Sequence, residues 1–130
     1  MIDVREVATY VVALAAREKL QAQWSIAAFS PTHDDHRWVH FRCRYVGDET
    51  EPARRVEATR AALAAIESAL APLRDCVSVE PSKSPTHVEG GEPRPDIRAW
   101  FVLLVWIRGP REKYAEAAWQ RRPPLDGPAG

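Results

Sequence analysis

The first segment of the chain has the hydrophobic period of an α-helix. Apolar side chains recur every three or four residues from Val4 to Ala15. Asp3 is followed three residues later by Glu6, and this spacing is typical of a capping box at a helix N-terminus. We therefore predict a first helix over residues 4–21.

The next two segments have patterns that are typical of β-strands. Residues 23–30 form a short run of strand-favouring residues that ends at Pro31. From Trp38 to Val46, apolar and polar residues alternate, so one face of this segment is expected to be buried. The pattern predicts two strands joined by a polar turn. The buried face of the second strand is predicted to carry Val39, Phe41, Cys43 and Tyr45.

A second helix is predicted after Gly47. Pro52 suits a first helical turn, because the amide that proline lacks would be unpaired there. Apolar residues then form one stripe as far as Leu73, which predicts a helix that packs by one face on a sheet. The stripe consists of Val56, Leu63, Ile66, Leu70 and Leu73.

The last third of the chain predicts two strands and a third helix. Residues 76–80 form a short strand, and residues 97–108 form the longest and most apolar one. A strand that is buried on both faces has a near-continuous apolar sequence, as this last strand does. We therefore expect it to be central in the sheet, with both faces covered. Pro110 can open a third helix, which ends before the Pro- and Gly-rich C-terminus.

These elements follow the order α-β-β-α-β-β-α. Two hairpins, each preceded by a helix, predict an α+β fold with a single antiparallel sheet of about four strands packed by two helices. A chain of 130 residues suits one domain. We expect a single domain over residues 1–122 and a disordered tail over residues 123–130.

The charge and composition of the chain exclude several classes of partner. Its 18 basic and 18 acidic residues give a formal net charge of zero, so no global field attracts DNA, RNA or anionic lipid. The longest apolar run, Trp100 to Ile107, is too short for a membrane span, and no signal peptide is recognised. The only two cysteines, Cys43 and Cys76, are expected to be free thiols in a reducing cytosol. We therefore expect no membrane partner and no nucleic-acid partner.

One turn of the chain has residue types that bind metals. His33, Asp34, Asp35 and His36 could in principle ligate zinc or relay protons. A structural zinc site, however, needs four ligands on rigid elements, whereas aspartate in a turn is favoured for hydrogen bonds to its own backbone. We predict no metal site and no cofactor.

A nucleophilic triad is the other enzymatic hypothesis. His40 and Glu80 are predicted on the same sheet face, and Cys76 or Ser78 could lie nearby. Triads are defined by geometry, and the ordinary interpretation is that these are small or solvent-facing strand residues. The chain contains no nucleophile-elbow, P-loop or dinucleotide glycine motif. We therefore predict no catalytic site.

Arginine and tryptophan gather on the second face of the predicted sheet. Both residue types are frequent at protein interface hot spots, and aromatic residues flanked by arginines can also stack nucleic-acid bases. The alternative is that the third helix folds over the tryptophans, because large exposed apolar patches are rare on monomers. The face is predicted to carry Trp38, His40, Arg42 and Arg44 from the second strand and Arg98, Trp100, Trp106 and Arg108 from the last.

Residues 82–96 form a long connection rich in proline, glycine and charge. Long loops inside compact domains tend to be either functional or disordered, and an ordered loop here is expected to contact a partner. The candidate partner-contact residues of the loop and the sheet face are Trp38, His40, Arg42, Arg44, Lys83, His87, Arg94 and Arg98.

Three segments of the chain, taken in order, also match a known pattern. They are MIDVREVATYVVALAAREKL, WVHFRCRYVGDETEPARRVEATRAALAAIESAL and RPDIRAWFVLLVWIRG. They resemble the opening helix, the strand, acidic turn and alanine-rich helix, and the closing strand of tail terminator proteins of long-tailed bacteriophages. The resemblance implies a non-enzymatic virion protein that forms a homo-oligomeric ring of six copies and contacts the tail tube on one side and the neck on the other.

Three other functions compete with this one. A small regulatory or inhibitory binding module would use the same Trp and Arg face as a monomer or dimer. An RNA-binding sheet would require uncovered tryptophans and a strong dependence on salt. A hydrolase or metal enzyme would require bound metal or a working nucleophile.

Overall fold

A computed structural model describes most of the chain. The described residues are 2–27, 36–80, 86–89, 92–95, 98–107 and 112–125. Within them the helices are α1 (Val4–Arg17), α2 (Pro52–Leu70, extended by a 3₁₀ turn at Ala71–Leu73) and α3 (Glu112–Gln120). The strands are β1 (Leu20–Ala27), β2 (His36–Tyr45), β3 (Val77–Glu80), β4 (Thr86–Glu89), β5 (Glu92–Pro95) and β6 (Arg98–Trp106).

The main sheet has four strands in the order β1-β2-β6-β3, and every neighbouring pair is antiparallel. Phe41 of β2 lies opposite Trp24 of β1 on one side and Phe101 of β6 on the other. β4 and β5 form a separate two-stranded hairpin. The prediction of an α+β fold with one four-stranded antiparallel sheet is confirmed.

The core lies between the helices and one face of this sheet. Phe41 and Phe101 stack with ring centroids 4.7 Å apart, and both side chains are buried. Alternation along β2 buries Val39, Phe41, Cys43 and Tyr45, as predicted. The helices bury the other half of the core with Val7, Val11, Leu14, Ile66, Leu70 and Leu73.

The boundary between α1 and β1 differs from the prediction. The side chain of Asp3 caps α1 as expected, accepting a hydrogen bond from the Arg5 amide at 2.9 Å, but the helix ends at Arg17 instead of residue 21. Lys19 has a φ of 64°, which reverses the chain, and its carbonyl accepts a hydrogen bond from the Val46 amide at 3.0 Å. The strand therefore begins at Leu20, three residues before the predicted start.

α3 packs in the same layer as α1 and α2. Its Trp119 meets the ring of Tyr10 edge-on, with centroids 5.4 Å apart, and the Tyr10 hydroxyl donates to the Pro123 carbonyl at 2.7 Å. Ala115 and Ala118 of α3 join the main core. Since alternation places Trp38 on the other side of the sheet, the alternative that the third helix folds over this tryptophan is wrong.

The predicted loop 82–96 contains the β4–β5 hairpin. Thr86 pairs with Pro95 and Glu89 with Glu92 across four-residue strands. The sequence pattern did not indicate these strands, because prolines are unusual in strands and four residues are too few for a clear alternation. Residues 82–85, 90–91 and 96 of this loop lie outside the described residues.

β6 is central, since it lies between β2 and β3, but only one of its faces is covered by helices. Val102 and Leu104 are half-buried on the other face, where no described helix packs, so the described residues leave the prediction of two covered faces as a prediction. At the C-terminus, Leu125 packs against the core. Residues 126–130 of the predicted tail lie outside the described residues.

Candidate interaction face of the sheet

The sheet face opposite the helices is the candidate functional site, and we call it the open face. Alternate residues of each strand point to it, because successive side chains of a strand lie on opposite sides. Its described side chains are Gln21, Gln23 and Ser25 of β1, Trp38, His40, Arg42 and Arg44 of β2, Ser78 and Glu80 of β3, and Val102, Leu104 and the predicted Trp106 of β6.

One end of the open face is basic and polar. Arg44 lies opposite Gln21, and its Nη2 donates to the Gln21 Oε1 at 3.2 Å. Arg42 lies opposite Gln23, and these four side chains line a shallow groove of about 360 Å³. Both arginines are exposed. The register also places Arg98 of β6 opposite Arg44, so three arginine positions lie at this end of the sheet.

The other end of the open face is aromatic and apolar. The rings of Trp38 and His40 are stacked, with centroids 6.2 Å apart. Trp38 lies opposite Leu104 and His40 opposite Val102, and the two aliphatic side chains are half-buried. The open face therefore combines an apolar patch with a cationic patch, which is the composition of many protein-contact surfaces.

The predicted contact residues fall into two places. Four of them lie together on the open face, as predicted: Trp38, His40, Arg42 and Arg44. His87 and Arg94 lie opposite each other in the β4–β5 hairpin, which contacts α2 and belongs to a separate sheet. Arg98 lies opposite Arg44 in the register of the main sheet, and Lys83 lies outside the described residues.

Sequence reasoning missed the contribution of β1 and part of that of β6. Gln21, Gln23 and Ser25 complete the polar end, but the strand was predicted to start at residue 23. The alternation of polar and apolar residues from Leu20 onward was the signal that could have located them. Val102 and Leu104 were assigned to a doubly covered strand because their run is continuously apolar.

The sheet separates His40 from Glu80, two members of the hypothetical triad, and buries Cys76, one of its two candidate nucleophiles. His40 and Glu80 lie opposite Val102 on its two sides, so two strand spacings, about 10 Å, separate their backbones. Cys76 is fully buried, and burial raises the pKa of its thiol to about 12. A thiol that stays protonated at neutral pH is a poor nucleophile.

The described part of the chain contains no group of three or more metal-ligating side chains that could hold an ion. Of the proposed metal-binding turn, His33, Asp34 and Asp35 lie outside the described residues.

Within the described ranges, no helix is both long and apolar enough to cross a membrane. Comparison of the chain with protein-family models, with curated proteins and with solved structures found no match.

Proposed function

We propose that this chain is a non-enzymatic structural subunit that closes into a ring at the end of the tail of a long-tailed bacteriophage. The observation that carries the proposal is the open face, where exposed Arg42 and Arg44 lie on the same strand face as the half-buried Trp38 and no described helix packs. Tryptophan and arginine are the residues most enriched at interface hot spots. The face is therefore suited to a protein contact.

The partner on this face is a second copy of the chain. Subunits of a ring contact each other head to tail, so each copy must offer two unlike surfaces. The turn after β2 carries Asp48, Glu49 and Glu51, which are opposite in charge to Arg42 and Arg44. Complementary patches on a chain with no net charge favour contact between copies.

The resemblance supplies the rest of the proposal. The element order on which the resemblance rests is also the order of the main helices and strands, with the β4–β5 hairpin added. A ring of this kind, of six copies, would contact the tail tube on one side and the neck on the other. Its place would be the assembled virion.

The mass of the purified chain in solution tests the proposal. Light scattering after size exclusion, at several concentrations, should find a ring-sized species. The double variant Arg42→Glu/Arg44→Glu should lose that species. Arg74→Glu/Arg121→Glu, which changes two exposed arginines of the helical layer, is the matched control and should keep it.

A charge exchange makes the test specific. Asp48→Lys/Glu49→Lys should also lose the ring, and combining these changes with Arg42→Glu/Arg44→Glu in one chain should restore it. A concentration-independent monomer would exclude a ring that closes by itself. It would then favour the alternative, a regulatory or inhibitory module that uses the same Trp and Arg face as a monomer.

A further inference from the structure

β1 is an edge strand whose outer side is not paired by any described residue. It pairs with β2 along its whole length, from Leu20 opposite Tyr45 to Ala27 opposite Trp38. In the sheet order β1-β2-β6-β3 it is the first strand. An edge strand presents a row of backbone N–H and C=O groups that can pair with another strand.

The sequence of β1 and its register with β2 lack the features that normally protect an edge strand. Native proteins discourage edge pairing with charged residues, proline, bulges or very short strands. The sequence of β1, LQAQWSIA, has eight residues with no charge and no proline, and its one-to-one register with β2 leaves no bulge. The opposite edge, β3, has only four residues and ends in Glu80.

We infer that β1 pairs with β1 of a second copy of the chain, joining two sheets into one of eight strands. An antiparallel pairing about a two-fold axis at Gln23 matches the two faces of the strands. It places Gln23 opposite its own copy, Gln21 opposite Ser25, Ala22 opposite Trp24, and Leu20 opposite Ile26. Polar residues then meet on the open face and apolar residues meet on the helical face.

The side chains in this register are complementary in size and charge. Trp24 is half-buried in one copy and would lie beside the small Ala22 of the other. Ile26 is 39% exposed, and the contact would bury part of its surface. On the open face, each Arg42 lies opposite Gln23 of its own copy, so three strand spacings, about 14 Å, separate the backbones of the two Arg42 residues. This distance exceeds the screening length of about 8–10 Å at ordinary salt.

This inference goes beyond the proposed function and does not depend on it. A ring contact pairs unlike surfaces, whereas this contact pairs β1 with itself, so it creates a dimer. At concentrations too low for the proposed ring to close, light scattering of the wild-type chain should show a mass near twice 14.6 kDa that returns to 14.6 kDa on further dilution.

A charge substitution at the two-fold axis tests the pairing without disturbing the core, because Gln23 is exposed. Gln23→Lys and Gln23→Glu should each be monomeric, since each places two like charges directly opposite one another. An equimolar mixture of the two variants should form a dimer again. Gln120→Lys and Gln120→Glu, at an exposed position of α3, are the matched controls and should dimerise as the wild type does.

Disulfide trapping tests the register. In Gln23→Cys the two new thiols would face each other across neighbouring strands, within the Cα separation of about 4.4–6.8 Å that a disulfide needs. Mild oxidation should therefore link this variant into a dimer. Ser25→Cys should not link to itself, because its copies lie four residues apart along the strands, about 13 Å. A mixture of Gln21→Cys and Ser25→Cys should link. The native thiols of Cys43 and Cys76 are buried and do not compete.

The effect of substitution at Gln23 separates this inference from the ring. A dimer that Gln23→Lys abolishes, with no larger species, supports edge pairing and counts against a ring that closes by itself. A ring-sized species unaffected by substitution at Gln23 overturns edge pairing and leaves the ring proposal intact. A wild-type monomer at every concentration, or Ser25→Cys linking as readily as Gln23→Cys, also overturns it.

Discussion

The stacked pair of Phe41 and Phe101 is the most informative place to perturb the fold. The rings are nearly parallel, 3° apart, and the two residues are only 1% and 3% exposed. Removing a fully buried aromatic ring loses its transfer free energy and leaves a cavity. We expect Phe41→Ala to lower the free energy of unfolding by about 3–5 kcal/mol.

A loss of that size is a large share of the roughly 5–15 kcal/mol by which a domain is usually stable. The milder substitutions Phe41→Leu and Phe101→Leu, alone and combined, therefore give a better measurement of the pair. Stacking of the two rings should contribute about 0.5–1.5 kcal/mol beyond the burial of each ring. The loss in free energy of unfolding of the double variant should therefore differ by that amount from the sum of the two single losses.

Urea denaturation followed by circular dichroism and tryptophan fluorescence gives these free energies, provided that the slope with urea is unchanged. Tyr114→Ala removes an aromatic ring that is 62% exposed and should change stability by no more than about 0.5 kcal/mol. A Phe41→Ala loss below about 1 kcal/mol, or additive effects of the two leucine variants, would contradict the placement of the core between this sheet face and the helices.

Three other changes follow from particular contacts. A methyl group at Gly47 would overlap the Tyr45 ring, so Gly47→Ala should cost about 1–3 kcal/mol by urea denaturation, whereas Val46→Ala, at a 52% exposed position, should cost about 0.5 kcal/mol or less. Tyr10→Phe removes the donor to the Pro123 carbonyl and should cost about 0.5–1.5 kcal/mol, which thermal unfolding would detect as a lower Tm. Burial raises the pKa of both cysteine thiols from 9.0 to about 12, so between these values the unfolded chain releases protons that the folded chain retains. The free energy of unfolding should therefore fall as the pH rises from 9 to 12 and show no thiol contribution below 9, and a variant with both cysteines changed to alanine should show a smaller fall.

Local patterns in the sequence predicted most of the secondary structure and the fold class. The two-residue alternation along β2 identified its buried side chains, because each strand position records which face meets the core. The helical period did the same for α1 and for the stripe of α2 that ends in Ile66 and Leu70. The same alternation identified Trp38, Arg42 and Arg44 as one surface of the sheet.

The tertiary structure decided which surfaces are covered and where strands begin. The start of β1 depends on a contact between Lys19 and Val46, which are distant in sequence, and no local pattern reports such a bond. α3 was equally compatible with either face of the sheet until the contact between Trp119 and Tyr10 placed it with the other helices.

The sequence by itself therefore determined that the chain forms an α+β fold and which side chains of β2 share a face. Only the tertiary structure decided that the open face has no described helix on it and that β1 is an edge. The physical reason is that hydrophobic periodicity reports whether a residue is buried, whereas pairing partners and layer order depend on contacts between distant segments.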